Sequence, residues 1–120
     1  MSDQREISPG EAAELLRSGE AQFVDVRQEY EWDAGHIEGA HHVELTELAR
    51  VAEELDAERP VVLYCRSGER SAMATEALRA SGWNARNMTG GLTAWADEGL
   101  PIEPESGAVA GRVQAQPDFP

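Results

Sequence analysis

Residues 61 to 64 read VVLY, four consecutive apolar side chains bounded by Pro60 on one side and a polar, glycine-bearing stretch on the other. A run this short is poor helix material. Without polar alternation it suits a strand covered on both faces, as in parallel sheets packed between helices. A second run, AQFVDV at 21 to 26, has the same character with a β-branched centre. Between such runs the pattern changes to helical spacing. Ser8-Pro9-Gly10-Glu11 places a capping residue, a proline at the first helical position and a glutamate three after the cap. It predicts a helix that buries Ala12, Leu15 and Leu16 and stops at Gly19. QEYEWDAG reads as a short helix and AHHV as a short strand. In TELARVAEEL, Leu48, Val51, Ala52 and Leu55 recur at helical spacing. A further helix is expected from about Ser71 to Gly82, then a weak strand at NARNM. Gly90-Gly91 sets a turn before a last helix, LTAWADEG, whose Trp95 fills the core. The alternation implies an α/β domain with a mainly parallel sheet and helices on both faces.

The chain of 120 residues, 41% apolar, has room for one core. It has no apolar run of about 18 residues for a membrane span, and MSDQREIS lacks the basic start and apolar stretch of a signal peptide, so a cytoplasmic protein is expected. A single cysteine forms no internal disulfide, and the three histidines are not at ligand spacing, so neither metal nor cofactor is expected. The 23 acidic residues face 10 basic ones, all arginine, for a net charge of −13. That balance argues against nucleic acid or an anionic membrane as partner.

In an open parallel sheet, ligands bind beyond the carboxyl ends of the strands. Cys65 lies where VVLY ends and before a helix begins, so its thiol is expected in a surface crevice. The segment RSGER that follows is short and holds Gly68, whose freedom suits a tight turn. Its N–H groups then converge at a helix N-terminus. That nest, with Arg66 and Arg70 nearby, favours a charged sulfur and hence a nucleophile. Ser67 and Ser71 are candidate donors to the sulfur or a substrate, with capping of the helix as the alternative for Ser71. Glu69 is the one acidic residue in the loop, either lowering its potential or pairing with Arg66 or Arg70.

CRSGERS preceded by VVLY, VDVRQEYEWDAGHIEGAHHV upstream and GGLTAWADEGLPIE downstream resemble a single-domain rhodanese, a thiosulfate sulfurtransferase of the rhodanese-like superfamily. Glu38 stands where the GHIPGA pattern of that family has proline. The resemblance implies a five-stranded parallel sheet flanked by helices, with Cys65 cradled by the loop at 65 to 70 and carrying a persulfide during turnover. Residues 1 to 104 would form this domain, and 105 to 120 a flexible or surface-lying tail. Asp25 and Arg27 resemble the family's Asp-x-Arg pair; their structural reading is a capping aspartate and an ion pair of Arg27 with Glu31. His36 is read as a structural hydrogen-bonding residue.

The implied reaction moves sulfur from a small anionic donor such as thiosulfate to a thiol or cyanide, or to a protein acceptor, by a monomer or homodimer. Two other classes compete. One is a persulfide carrier or docking module for a sulfur-trafficking partner. The other is a cysteine-dependent phosphatase or arsenate reductase, whose loop has five residues between cysteine and arginine, whereas four separate Cys65 from Arg70.

Overall fold

VVLY forms the middle strand of a five-stranded sheet. The computed structural model describes residues 5–110. Its elements follow the chain as β1 (Glu6–Ile7), α1 (Pro9–Ser18), β2 (Gln22–Asp25), α2 (Glu29–Ala34), β3 (His41–His42), a 3-10 helix (Leu45–Arg50) running into α3 (Val51–Glu54), β4 (Val61–Tyr64), α4 (Glu69–Ala80), β5 (Ala85–Met88) and α5 (Gly91–Asp97). The sheet order is β1-β5-β4-β2-β3, and every pairing is parallel.

Strand periodicity divides β4 between two cores. Val62 and Tyr64 face one layer with Phe23, Ala12, Leu92 and Trp95, beneath α1 and α5. Val61, Leu63 and then Cys65 face the other, with Val24, Val51, Ala74 and Leu78, beneath α3 and α4. The continuous apolar run is therefore explained by two covered faces, and Cys65 continues the alternation into the second layer.

The capping box at α1 forms as expected: the Glu11 N–H donates to Ser8 Oγ and the Ser8 N–H to Glu11 Oε1, each at 3.1 Å. Gly19 ends that helix with φ 79°. Pro9, Ala12 and Ala13 are its buried residues, while Leu15 and Leu16 are only partly covered at the layer's edge. TELARVAEEL is not one continuous α-helix. Glu47 departs from helical angles (φ −118°, ψ 26°), and the first five residues of the segment belong to the 3-10 helix that starts at Leu45. Leu45, Leu48 and Val51 are spaced by three, and the three-residue turn of a 3-10 helix aligns them on one side, where all pack on the second core. β1 was not expected from the pattern: two residues carry no periodicity, and pairing with Asn87 and Met88 creates the strand. No helix among the described residues is long and apolar enough to cross a membrane.

After α5 the chain folds back along α2. The Trp95 indole N–H donates to Pro101 O at 2.8 Å, and His36 and Glu103 form an antiparallel bridge. The first residues of the expected tail stay on this surface: the Ala108 N–H donates to Ala34 O at 2.8 Å, and Val109 packs against the first core. Residues 111–120 of that tail lie outside the described residues.

α5 is fastened to the end of β4. The Leu92 and Thr93 N–H groups donate to Cys65 O and Arg66 O at 2.8 and 3.0 Å. Gly90 and Gly91 set the expected turn, both at positive φ, but Gly91 has a second role: a Cβ there would sit 2.6 Å from both carbonyl oxygens. Gly91→Ala should therefore cost about 2–4 kcal/mol of stability, combining left-handed strain with a backbone clash. Gly19→Ala, at φ 79° with nothing within 4 Å of its Cβ, should cost only about 1–2 kcal/mol. Denaturant unfolding of both variants measures the difference, and equal losses would show that the α5 contact is not tight.

Candidate active site

The cysteine sits at the carboxyl end of the central strand, as the sequence predicts, but its side chain is buried, 1% exposed, rather than open to a surface crevice. Its Sγ accepts from the Gly68 N–H at 3.1 Å and from the Ser71 N–H at 3.4 Å. Gly68, at φ 111°, is the N-cap of α4, so that helix begins at Glu69, two residues before the expected start. Ser71 consequently lies inside the first turn and does not cap the helix. The first-turn amides of a helix have no intrahelical acceptor. Here the tight turn at Gly68 aims two of the loop's N–H groups at the sulfur, and the positive end of a 12-residue helix adds to their field.

The two arginines of the loop differ. Arg70 donates from both Nη atoms to the two carboxylate oxygens of Glu31, at 2.8 Å each. Glu31 comes from α2 and is 2% exposed. Burial acts to push its carboxyl up, but the Arg70 hydrogen bonds, the Gln28 N–H and the charges of Arg70 and Arg27 outweigh it and hold it below the ordinary carboxylate range. The same hydrogen bonds hold the Arg70 guanidinium above its usual value. Arg66 is half-buried and has no side-chain hydrogen bond or ion pair among the described residues. The free cation beside Cys65 is thus Arg66, and the charge of Arg70 is largely matched by Glu31. Glu69 pairs with neither arginine: the Ser67 hydroxyl donates to its carboxylate and holds it below its ordinary value. Ser67 is exposed, and its hydroxyl is committed to Glu69 rather than to the sulfur.

Asp25 and Arg27 form a fully buried pair beside the loop. Arg27 donates from Nε and Nη2 to the two Asp25 oxygens at 2.9 and 2.6 Å, and from Nη2 to Gly35 O at 2.7 Å. Burial opposes the Arg27 charge, but Asp25 outweighs it and raises the guanidinium. The expected Arg27–Glu31 ion pair is not formed. Residues two apart in extended chain project to the same side, so Arg27 meets Asp25, while Glu31 turns to α4. The Asp25 carboxylate also receives the Arg27 N–H at 3.0 Å, which is the turn-forming role of a short acidic side chain. Neither residue bonds Cys65. His36 is structural as read: its Nδ1 lies 2.8 Å from Trp32 O, and its ring stacks on Trp32 at 3.6 Å between centroids.

Three contributors escaped the sequence reading. Glu31 is read from the sequence only as a partner for Arg27, and its place beside Arg70 is not visible there. Tyr64 reads as core, yet its hydroxyl accepts the Ile37 N–H at 3.0 Å, and burial pushes its phenol well up. Asn87 is a polar residue in a strand and is buried, which is its one signal. It accepts from the Ser71 hydroxyl at 2.5 Å.

Residues 8–98 match the family described as the rhodanese-like domain. The chain is 40% identical over 97 residues to the HTH-type transcriptional regulator Rv0324 of Mycobacterium tuberculosis, covering 76% of this chain but only 42% of that protein. It is 32% identical over 99 residues to the thiosulfate sulfurtransferase GlpE of Actinobacillus pleuropneumoniae, covering 82% of this chain and 92% of that one. A crystal structure of a rhodanese-related protein from Thermoplasma volcanium superposes with a TM-score of 0.75 at 28% identity, covering 82% and 96% of the two chains.

The Glu31–Arg70 pair carries a pH signature. Because Glu31 is held below the ordinary carboxylate range, its contribution to stability is fully present above the unfolded carboxyl value and is lost as pH falls through the folded one. Glu31→Gln should cost about 1–3 kcal/mol at pH 7, limited by the partial exposure of Arg70. The difference in Tm from wild type should shrink on acidification below about pH 4. A difference constant with pH would mean that packing, not charge, accounts for the loss.

Proposed function

The chain belongs to the rhodanese-like domain family, and on that premise we propose that it is a sulfurtransferase working through a persulfide on Cys65. One observation carries the reading: the sulfur accepts two backbone N–H groups at the head of α4, which stabilise it as an anion. The thiolate attacks the outer sulfur of thiosulfate or a related donor. A Cys65 S–S bond forms, the donor's S–S bond breaks, and sulfite leaves with the electron pair. A thiol, cyanide or a protein thiol then attacks the outer sulfur and releases the Cys65 thiolate. Amides that hold the sulfur before reaction need no reorganisation during it.

A small anionic donor suits the loop because Arg66, without a side-chain hydrogen bond or ion pair among the described residues, is free to meet it, backed by the remaining loop amides. Ser67, Gly68, Glu69 and Arg70 shape this cup, Ser71 adjoins the sulfur, and Asp25 and Arg27 support it from behind. A phosphatase reading fares worse, since the guanidinium such a loop would turn onto phosphate is committed here to Glu31.

Incubation with thiosulfate should add one sulfur atom to the intact protein, and cyanide should remove it as thiocyanate. Cys65→Ser should do neither. Arg66→Ala should raise KM for thiosulfate about tenfold while leaving the fold intact, the loss of one charge-assisted contact. An unchanged mass at saturating thiosulfate with Cys65 reduced rejects thiosulfate as donor. If a protein persulfide then loads Cys65, the carrier reading takes its place.

A further inference from the structure

A polar chain leads from the sulfur to a residue outside the loop. Asn87, on β5, donates from Nδ2 to Gly68 O at 3.2 Å and to both Glu6 carboxylate oxygens, each at 3.2 Å. All three partners are acceptors, so the orientation of the amide is fixed: the flipped amide would bring four oxygens together. Its Oδ1 must then face Ser71 Oγ, 2.5 Å away. The Ser71 hydroxyl has one proton and three acceptors within reach, the others being Cys65 Sγ and Gly68 O at 3.4 Å each. The short contact to Asn87 takes the proton while the sulfur is uncharged. A thiolate is a stronger acceptor, and rotation of the hydroxyl delivers the proton to it. That rotation strands Asn87 Oδ1 in the protein interior, which is unfavourable.

Resting on the sulfur-transfer reading, we infer that Asn87 is a positioning residue that competes with Cys65 for the Ser71 hydroxyl proton and so favours the sulfur-loaded state over the free thiolate. The charge balance of the reaction gives the direction. When thiolate and thiosulfate become persulfide and sulfite, no proton is gained or lost, but the negative charge moves from Sγ to the outer sulfur. Sγ, now bonded to two atoms, no longer draws the Ser71 proton, and the hydroxyl returns to Asn87. The Ser71–Asn87 bond is intact on the loaded side and broken on the unloaded side, so it determines how firmly Cys65 holds a transferred sulfur.

The test is an equilibrium measurement on the full chain at alkaline pH, across a series of thiosulfate-to-sulfite ratios, with the loaded fraction read by intact mass. Asn87→Leu frees the Ser71 proton for the thiolate and should move the half-loading point to a ratio about three- to tenfold higher. Ser71→Ala removes the donor to the thiolate and should move it the other way. In the Ser71→Ala background, Asn87→Leu should then move the midpoint far less, by only what its bond to Gly68 O contributes, whereas an effect exerted through packing alone would be equal in both backgrounds. An unmoved midpoint in Asn87→Leu, or an equal shift with and without the Ser71 hydroxyl, overturns the inference. If Asn87→Leu does not fold, Ser71→Ala decides alone: loading that is unchanged or harder contradicts the rotation. Wild-type protein that loads at no ratio overturns the sulfur-transfer reading and this inference together.

Discussion

The Gly68 N–H pointing at the Cys65 sulfur is the interaction on which the rest of the site depends. A left-handed residue is required there, and its conformation starts α4 early enough that Ser71 N–H also reaches the sulfur. Three other parts of the fold hold that turn in place. α5 donates to the two carbonyls before it, β5 binds the Gly68 carbonyl through Asn87, and α2 grips Arg70 through Glu31. A loop that would otherwise be mobile is thereby attached to the rigid sheet and helices around it, which is how a site comes to be preorganised.

The electrostatic design is economical in free charge. Two arginines near the cysteine are neutralised in ion pairs, Arg27 by Asp25 and Arg70 by Glu31. Pairs with both partners buried, as in Arg27–Asp25, or with the carboxylate alone buried, as in Glu31–Arg70, give little net stability relative to apolar packing, but breaking one strands a buried charge. Their effect here is positional: each fixes a segment leading to or from the loop. The field felt by an incoming anion then comes from the helix terminus, the loop amides and Arg66, against a surface whose overall charge is −13. Glu69 adds to the negative side at the rim, drawn aside by Ser67.

Much of this was legible in the sequence because it rests on local rules. VVLY and FVDV required two-sided burial, the Ser8 capping box fixed the start of α1, and Cys65 before a glycine-bearing turn marked the place where backbone N–H groups meet the sulfur. What was not legible depends on long-range contacts. β1 exists because β5 lies beside it. The partner of Arg70 is 39 residues away, and that of Ser71 lies on another strand. Local spacing favoured Arg27 with Glu31, a pairing four residues apart that is natural on a helix, but Arg27 is not on one. The 3-10 segment was hidden for a related reason: Leu45, Leu48 and Val51 fit both helical periods, and the core selects the tighter one.

The proposed persulfide requires a cradle already built to receive a sulfur atom. A crystal structure of the protein after thiosulfate treatment shows whether that cradle exists. It should show one additional atom bonded to Cys65 Sγ at about 2.05 Å, lying within the loop of residues 65 to 70. The Gly68 N–H should still point at Sγ, and Arg70 should still be held by Glu31. An unmodified Cys65, or a loop that has opened so that the Gly68 N–H no longer faces the sulfur, would contradict it.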